Sequence, residues 1–189
     1  MGRRVLFLGP PGAGKGTQAT LLARALGVPH ISTGVMLREA VAEGTDLGNQ
    51  AGVLMAAGDL VPDELVVAMV AERLSRSDAA CGFLLDGFPR NIEQADALDN
   101  SVDGHAIEVV LLLTVVEDEL VRRLLKRAVE DGRDDDNEDT IRRRLEVYRS
   151  ETEPLVEHYP LHGVPIRRID GLGTVEEVFA RVVMALAHE

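Results

Sequence analysis

The sequence predicts an α/β fold, a parallel sheet covered by helices on both faces. Three observations carry that prediction. Short, nearly continuous apolar runs alternate with segments of helical period, the pattern of buried parallel strands joined by crossover helices. The first run, Val5-Leu6-Phe7-Leu8, leads straight into Gly9-Pro10-Pro11-Gly12-Ala13-Gly14-Lys15-Gly16-Thr17. A second run, Phe83-Leu84-Leu85, ends in Asp86. Such sheets bind ligands outside the carboxyl ends of their strands, so the turns after Leu8 and Leu85 are expected to share one crevice.

In chain order, strand candidates lie at residues 5–8, 30–31, 83–85, 107–113 and 166–169. Residues 32–76 break the alternation with three helical stretches, at 35–43, 48–57 and 62–76, and no strand between them. Pro62 followed by Asp63 and Glu64 suits a helix start, because proline presets φ and carboxylates favour the positive end of the helix dipole. The block reads as a small helical insertion, hinged at Gly34, Gly44 and Gly58. Further on, Leu120, Val121, Leu124, Leu125 and Ala128 share a helix face, as do Ile141, Leu145, Tyr148, Thr152, Leu155 and Tyr159. The last helix carries Val175, Val178, Phe179, Val182, Val183 and Leu186 behind the capping-box pattern Thr174-x-x-Glu177.

A chain of 189 residues suits one domain with a sizeable core. It is 46% hydrophobic but only 3% aromatic, so that core must be built from Val, Leu, Ile and Ala. No apolar run approaches the roughly 18–20 residues of a membrane span. Met1-Gly2-Arg3-Arg4 superficially resembles a twin-arginine export signal, but the apolar run after it stops at Gly9-Pro10. Leu6 occupies the position where a myristoylation motif needs Ser or Thr, so the N-terminus is expected to be mature strand. The one cysteine, Cys81, excludes an internal disulfide and a cysteine-cluster metal site. Beside an apolar strand it is expected to be buried, and a cytoplasmic location fits. A net charge of −12 argues against nucleic acid as the partner, since polyanions are bound through broad basic surfaces.

Strand, glycine-rich turn, Lys15 and helix start together make a phosphate-binding loop. Glycines let the backbone approach a polyphosphate, and successive N–H groups and the helix dipole then face the anion. The pattern G-x-x-x-x-G-K-[ST] is matched except at its last position, where Gly16 stands and Thr17 follows. Asp86, at the end of a strand, suits a carboxylate that holds Mg²⁺ directly or through water. Arg90 lies in the turn beyond. Arg123 and Arg127, four apart, share a helix face; Arg133 and Arg144 follow, and Arg38 sits in the insertion. Phosphoryl transfer needs several planar, permanent cations around two anions, and chemistry alone says only that some of these converge. Arg122, Arg142 and Arg143 read as solvated. The acidic stretch 131–139 fails as a calcium loop: counted from Asp134, Asp139 and Leu145 stand where Gly and Glu are required.

Three segments carry a resemblance: Gly9-x-Pro11-Gly12-x-Gly14-Lys15-Gly16-Thr17, Ile31-Ser32-Thr33-Gly34-x-Met36-Leu37-Arg38 and Asp86-Gly87-Phe88-Pro89-Arg90. Together with Gln94, the pair Arg123 and Arg127, Arg133-x-Asp135-Asp136, Arg144 and Gly173-Thr174, they resemble the adenylate kinases over essentially the whole chain. Gly16 is that family's own version of the loop. The resemblance implies a three-layer αβα core of the P-loop NTPase type around a five-stranded parallel sheet. It also implies a nucleoside-monophosphate-binding insertion over residues 32–61 and a short lid over 127–137. The implied reaction is reversible transfer of the terminal phosphate of ATP to AMP, giving two ADP, in adenine nucleotide homeostasis and AMP salvage.

By the same resemblance, Gly12, Ala13, Gly14, Lys15, Gly16 and Thr17 hold ATP phosphates. Arg123 stacks near the adenine, Arg127 reaches ATP and the Gly173 backbone helps hold the base. Thr33, Arg38, Asp59, Leu60, Val61, Gly87, Phe88, Pro89, Arg90 and Gln94 bind AMP. Arg133 and Arg144 lie between the nucleotides, with Lys15 and Arg90 as catalytic partners, and Asp86 meets Mg²⁺ through its water shell. A monomer without zinc is implied, because the longer lids that carry zinc use four cysteines. Val35 departs from the acidic residue the family often has there. A UMP/CMP kinase is the nearest alternative, against which Thr33 and Gln94 favour adenine. A non-catalytic nucleotide-binding switch is another, against which the set Lys15, Arg90, Arg133 and Arg144 speaks.

Overall fold

All five strands run parallel, in the spatial order β2-β3-β1-β4-β5. They are β1 (Arg4–Leu8), β2 (His30–Ser32), β3 (Phe83–Asp86), β4 (Val109–Thr114) and β5 (Ile166–Asp170). The structure, a computed structural model, describes residues 3–101, 107–131 and 137–187. Its helices are α1 (Lys15–Leu26), α2 (Thr33–Glu43), α3 (Asp46–Ala57), α4 (Asp63–Leu74), α5 (Ile92–Ser101), α6 (Glu117–Asp131), α7 (Glu138–Val147), α8 (Leu155–Leu161) and α9 (Val175–Ala187).

Strand alternation explains the two cores. Successive side chains of a strand point to opposite faces, and both faces here are covered. Val5 and Phe7 of β1 join Leu84, Leu111 and Leu113 against Ala19 and Leu22 of α1, Leu124 of α6 and Val182 of α9. Leu6 and Leu8 join Ile31, Leu85, Val110 and Leu112 against Val70 of α4, Leu98 of α5 and Tyr159 of α8. Burying a leucine or valine in either layer contributes about 1.5–3 kcal/mol, so aliphatic side chains suffice where aromatics are scarce.

Register fixes the crevice. Phe7 of β1 is level with Asp86 of β3, and Ser32 of β2 with Asp86 on its other side. The turns after β1 and β3 therefore open side by side at one sheet edge, as the pattern predicts. The three helices between β2 and β3 stand where the sequence places them. Thr45 caps α3 by accepting from the Gly48 N–H at 3.0 Å. Gly48 permits α3 to cross α2 closely, since a Cβ there would lie 2.0 Å from the Ala40 carbonyl oxygen. The capping box at α9 is formed: Thr174 N–H donates to Glu177 Oε2 at 2.8 Å, and Glu177 N–H to Thr174 Oγ1 at 3.2 Å.

Three local expectations are corrected. Cys81 is exposed. It follows the 3₁₀ turn Ser77–Ala79 and precedes β3, so it sits in a surface connection rather than beside the buried strand. Leu125 is also exposed, while its neighbour Leu124 is fully buried; the apolar stripe of α6 is narrower than the pattern suggests. The face from Ile141 to Tyr159 spans two helices, because a π turn at Tyr148–Thr152 and then Pro154 separate α7 from α8. Proline lacks the N–H that would continue the ladder.

Candidate active site

The loop after β1 is shaped by what lies beneath it. Gly12 takes φ of +84°, and a Cβ there would lie 2.9 Å from the Leu120 carbonyl oxygen, so α6 forces glycine at this position. Ala13 is buried under the loop. Lys15 opens α1, and its Nζ donates to the carbonyls of Gly9 at 2.7 Å and Pro10 at 3.1 Å. Burial pushes the Lys15 ammonium down to about 8; Asp86 opposes that shift, while Arg90, Arg144 and Arg127 add to it.

Asp86 closes β3 on the floor of the same cleft, buried, with Ser32 Oγ donating to its Oδ2 at 3.4 Å and His30 Nε2 3.5 Å from that oxygen. Burial alone would raise its pKa. His30, Lys15 and Arg90 outweigh burial and hold the carboxyl below its ordinary value. Gly16, where the usual loop has a hydroxyl residue, lies beside this carboxylate: a Cβ there would meet Asp86 Oδ2 at 3.5 Å, an ordinary contact. His30 and Ser32 are site residues that the sequence reading overlooked; a short strand level with β3 was the available signal.

A cleft of about 610 Å³ runs over these groups. Its walls include Gly12, Gly14, Lys15, Gly16, Thr17, Asp86, Arg123, Arg127 and Arg144. Arg123 is clamped: its Nε donates to Glu119 Oε1 at 2.7 Å and its NH2 nitrogen to the Gly171 carbonyl at 2.9 Å. The second bond ties α6 to the β5–α9 turn that contains Gly173. Gly173 itself, like Ala13, is not in the cleft wall. Val35 lines the cleft as an apolar side chain, so no second carboxylate stands there.

A second pocket opens under the insertion. Thr33, Arg38, Asp59, Leu60, Val61, Gly87, Arg90, Gln94 and Arg144 line it, joined by Leu37 and Met55. Thr33 Oγ1 and Arg90 Nε both donate to the Gly87 carbonyl, each at 2.8 Å, which fixes the turn after β3. Phe88 is buried in the core and lines neither space, and Pro89 lines an adjoining cavity that Lys15 also borders. Asp59 accepts from Arg143 Nε at 2.8 Å. Arg143, read from sequence as solvated, thus bridges the insertion to α7.

Arg90, Arg144, Arg38, Gly34 and Gly87 line both spaces. The guanidinium of Arg90 is driven down to about 10 by burial first, then by Arg144, with Asp86 opposing and Arg38 adding. Half-buried cations crowded against each other favour a bound anion. Arg133 lies outside the described residues, as do the other residues of 132–136 in the acidic stretch 131–139.

Asp86 suits the role of a Mg²⁺ partner: a single buried carboxylate, kept ionised, at the floor of the phosphate cleft. No group of three or more His, Cys, Asp or Glu able to hold a metal occurs among the described residues. An ion there would draw its remaining ligands from phosphate and water, as Mg²⁺ commonly does. No helix among the described residues is long and apolar enough to cross a membrane.

Comparison with known proteins agrees with this architecture. The family model described as Adenylate kinase matches residues 7–164. The chain is 53% identical over 188 residues to an adenylate kinase of Thermus thermophilus, covering 98% of both chains. It is 53% identical over 185 residues to one of Thermobifida fusca, covering 97% of both. A Corynebacterium glutamicum adenylate kinase is 54% identical over 185 residues, 97% of this chain and 98% of that one. A family model matched over residues 7–164 and relatives more than half identical along nearly the whole chain show that the chain belongs to the adenylate kinase family.

Proposed function

We propose that the chain catalyses ATP + AMP ⇌ 2 ADP by direct in-line transfer between two bound nucleotides. The observation that carries this reading is the shared wall: Arg90 and Arg144 border both the phosphate-loop cleft and the pocket under the insertion. ATP takes the first space and AMP the second, so the migrating phosphoryl group passes the two guanidiniums.

The AMP phosphate oxygen is the nucleophile, and no side chain need attack. The protein positions the two nucleotides and stabilises the charge that develops between them. Backbone N–H groups of residues 12–17 cradle the ATP phosphates. Lys15 swings from the loop carbonyls to a terminal phosphate, and its depressed pKa recovers beside that anion. Arg38, Arg90 and Arg144 hold the AMP phosphate and, with Arg133, the transferring group. Asp86 would hold Mg²⁺ through water, and the ion would supply neutralisation of phosphate charge. On the donor side Arg123 offers a guanidinium plane for the base, steadied by Glu119. On the acceptor side Gln94 presents its amide to adenine.

The insertion over residues 32–61 is the moving part, and its closure over the acceptor pocket excludes water and suppresses ATP hydrolysis. The lid that the resemblance implies over 127–137 includes residues outside those described. A monomer is the proposed working form, by resemblance to the family. An acceptor screen with ATP and AMP, UMP, CMP or GMP tests the assignment. AMP is expected to be strongly preferred; equal turnover of UMP or CMP would move the chain to another nucleoside monophosphate kinase activity.

A further inference from the structure

Gln94 is almost wholly buried, 2% exposed, in the wall of the acceptor pocket. Its amide is held from both ends. Oε1 accepts from the backbone N–H of Arg90 at 2.8 Å, and Nε2 donates to Asp63 Oδ1 at 2.7 Å. Asp63, the first residue of α4, also accepts from Asn91 Nδ2, at 3.1 Å through Oδ1 and 2.9 Å through Oδ2. Asn91 is pinned in turn, its Oδ1 capping α5 by accepting the Gln94 N–H at 2.8 Å. Every partner is chemically one-sided. A backbone N–H only donates and a carboxylate only accepts, so neither amide has a second orientation without setting donor against donor and acceptor against acceptor.

A freely rotating glutamine amide does not discriminate between the two kinds of purine. A 6-aminopurine offers an N–H donor beside an unprotonated ring nitrogen. A 6-oxopurine offers a carbonyl acceptor beside a protonated ring nitrogen. Turning the amide over exchanges its complement from one to the other. A locked amide, with one N–H and one lone pair left over, pairs with one purine and leaves the other facing like groups. Sites that bury such mismatched polar groups reject the wrong ligand strongly.

We propose that Asp63 is a positioning residue for acceptor choice: it locks the Gln94 amide in the orientation that selects a 6-aminopurine over a 6-oxopurine. The proposal rests on the placement of Gln94 against the acceptor base in the reading above. Asp63 acts through Gln94 and is itself absent from the pocket wall. It also joins the first turn of α4, where the insertion returns to the core, to the first turn of α5.

The test compares AMP with IMP, which differ at the six position of the purine and the adjacent ring proton. Asp63→Asn is nearly isosteric but offers either an oxygen or an NH₂ group to Gln94. Its ratio of kcat/KM for AMP to that for IMP is expected to fall about tenfold or more, with the KM for AMP raised and the KM for ATP unchanged. Asp63→Glu, still acceptor-only, is expected to keep most of the selectivity even if its melting temperature drops. Asp63→Ser, whose hydroxyl donates or accepts, provides the same readout should Asp63→Asn not fold. An unchanged ratio in either folded variant overturns the proposal, as does an equal loss in Asp63→Glu, which would mean packing rather than amide orientation. Gln94→Leu separates the two levels. If it alters base preference while Asp63→Asn does not, the lock is wrong and the placement of Gln94 stands. If it alters neither AMP affinity nor base preference, the placement fails and the proposal with it.

Discussion

Lys15 donates from Nζ to the Gly9 carbonyl oxygen at 2.7 Å, so the phosphate loop holds its own cation through its first residue. The ammonium is half-buried; desolvation lowers it to about 8, with Arg90, Arg144 and Arg127 adding to the shift and Asp86 opposing it. A polyphosphate bound there would add to the negative charge of Asp86 and favour the ammonium.

Removing this charge should act on the transition state more than on binding. Lys15→Met and, separately, Arg90→Ala are expected to lower kcat on the order of 10²-fold or more, with nucleotide KM values changed less. Steady-state kinetics with both substrates varied checks this; near-normal kcat in both variants would refute the assignment.

The pH dependence follows from the sign of the Lys15 shift. The free enzyme loses this proton as pH rises past about 8, whereas an unfolded lysine keeps it to about 10.5. The kcat/KM for ATP should therefore fall above pH 8, and the limb in kcat should lie higher, because bound phosphates favour the ammonium. Between those two values the unfolded chain binds more protons, so this group's destabilising effect fades as pH rises. The melting-temperature gain of Lys15→Met over the parent should accordingly be larger at pH 7 than at pH 10. A gain that grows with pH would contradict the buried-ammonium account.

Glu119 is expected to matter for ATP alone. Its carboxylate accepts from both Arg122 and Arg123, and these bonds hold it down to about 2, so it stays ionised throughout the working range. Glu119→Gln should loosen Arg123 and raise the KM for ATP severalfold while leaving the KM for AMP unchanged. A rise for AMP instead would place Arg123 on the wrong side of the site.

Metal dependence should separate into two parts. Residues 131–139 contain neither Cys nor His, and Cys81 is the chain's one thiol. Purified protein should carry no stoichiometric zinc, and a zinc chelator should leave its melting temperature unaltered. Activity should still vanish on Mg²⁺ removal and return on its addition. Bound zinc at one per chain would contradict the short-lid reading.

Much of this architecture was legible because local signals agreed. The apolar run into Gly9, the strand-end Asp86 and the capping box at Thr174 each specify their geometry within a few residues. Relations across the fold were not legible. That Arg143 pairs with Asp59, that Asn91 and Asp63 surround Gln94, and that His30 faces Asp86 all depend on which elements the sheet order brings together. Cys81 misled for the same reason: its neighbours in sequence are apolar, but the turn before β3 turns it to solvent. The Arg residues illustrate the limit best. Their number announced an anion site, yet only the two cavities single out Arg38, Arg90 and Arg144 as the common wall.

Whether both substrates must be bound together tests the central claim most directly. Initial rates with ATP and AMP varied together should give intersecting double-reciprocal lines, with ADP formed only when AMP is present and two ADP per ATP consumed. Parallel lines, or a phosphorylated enzyme formed from ATP alone, would contradict direct transfer across Arg90 and Arg144.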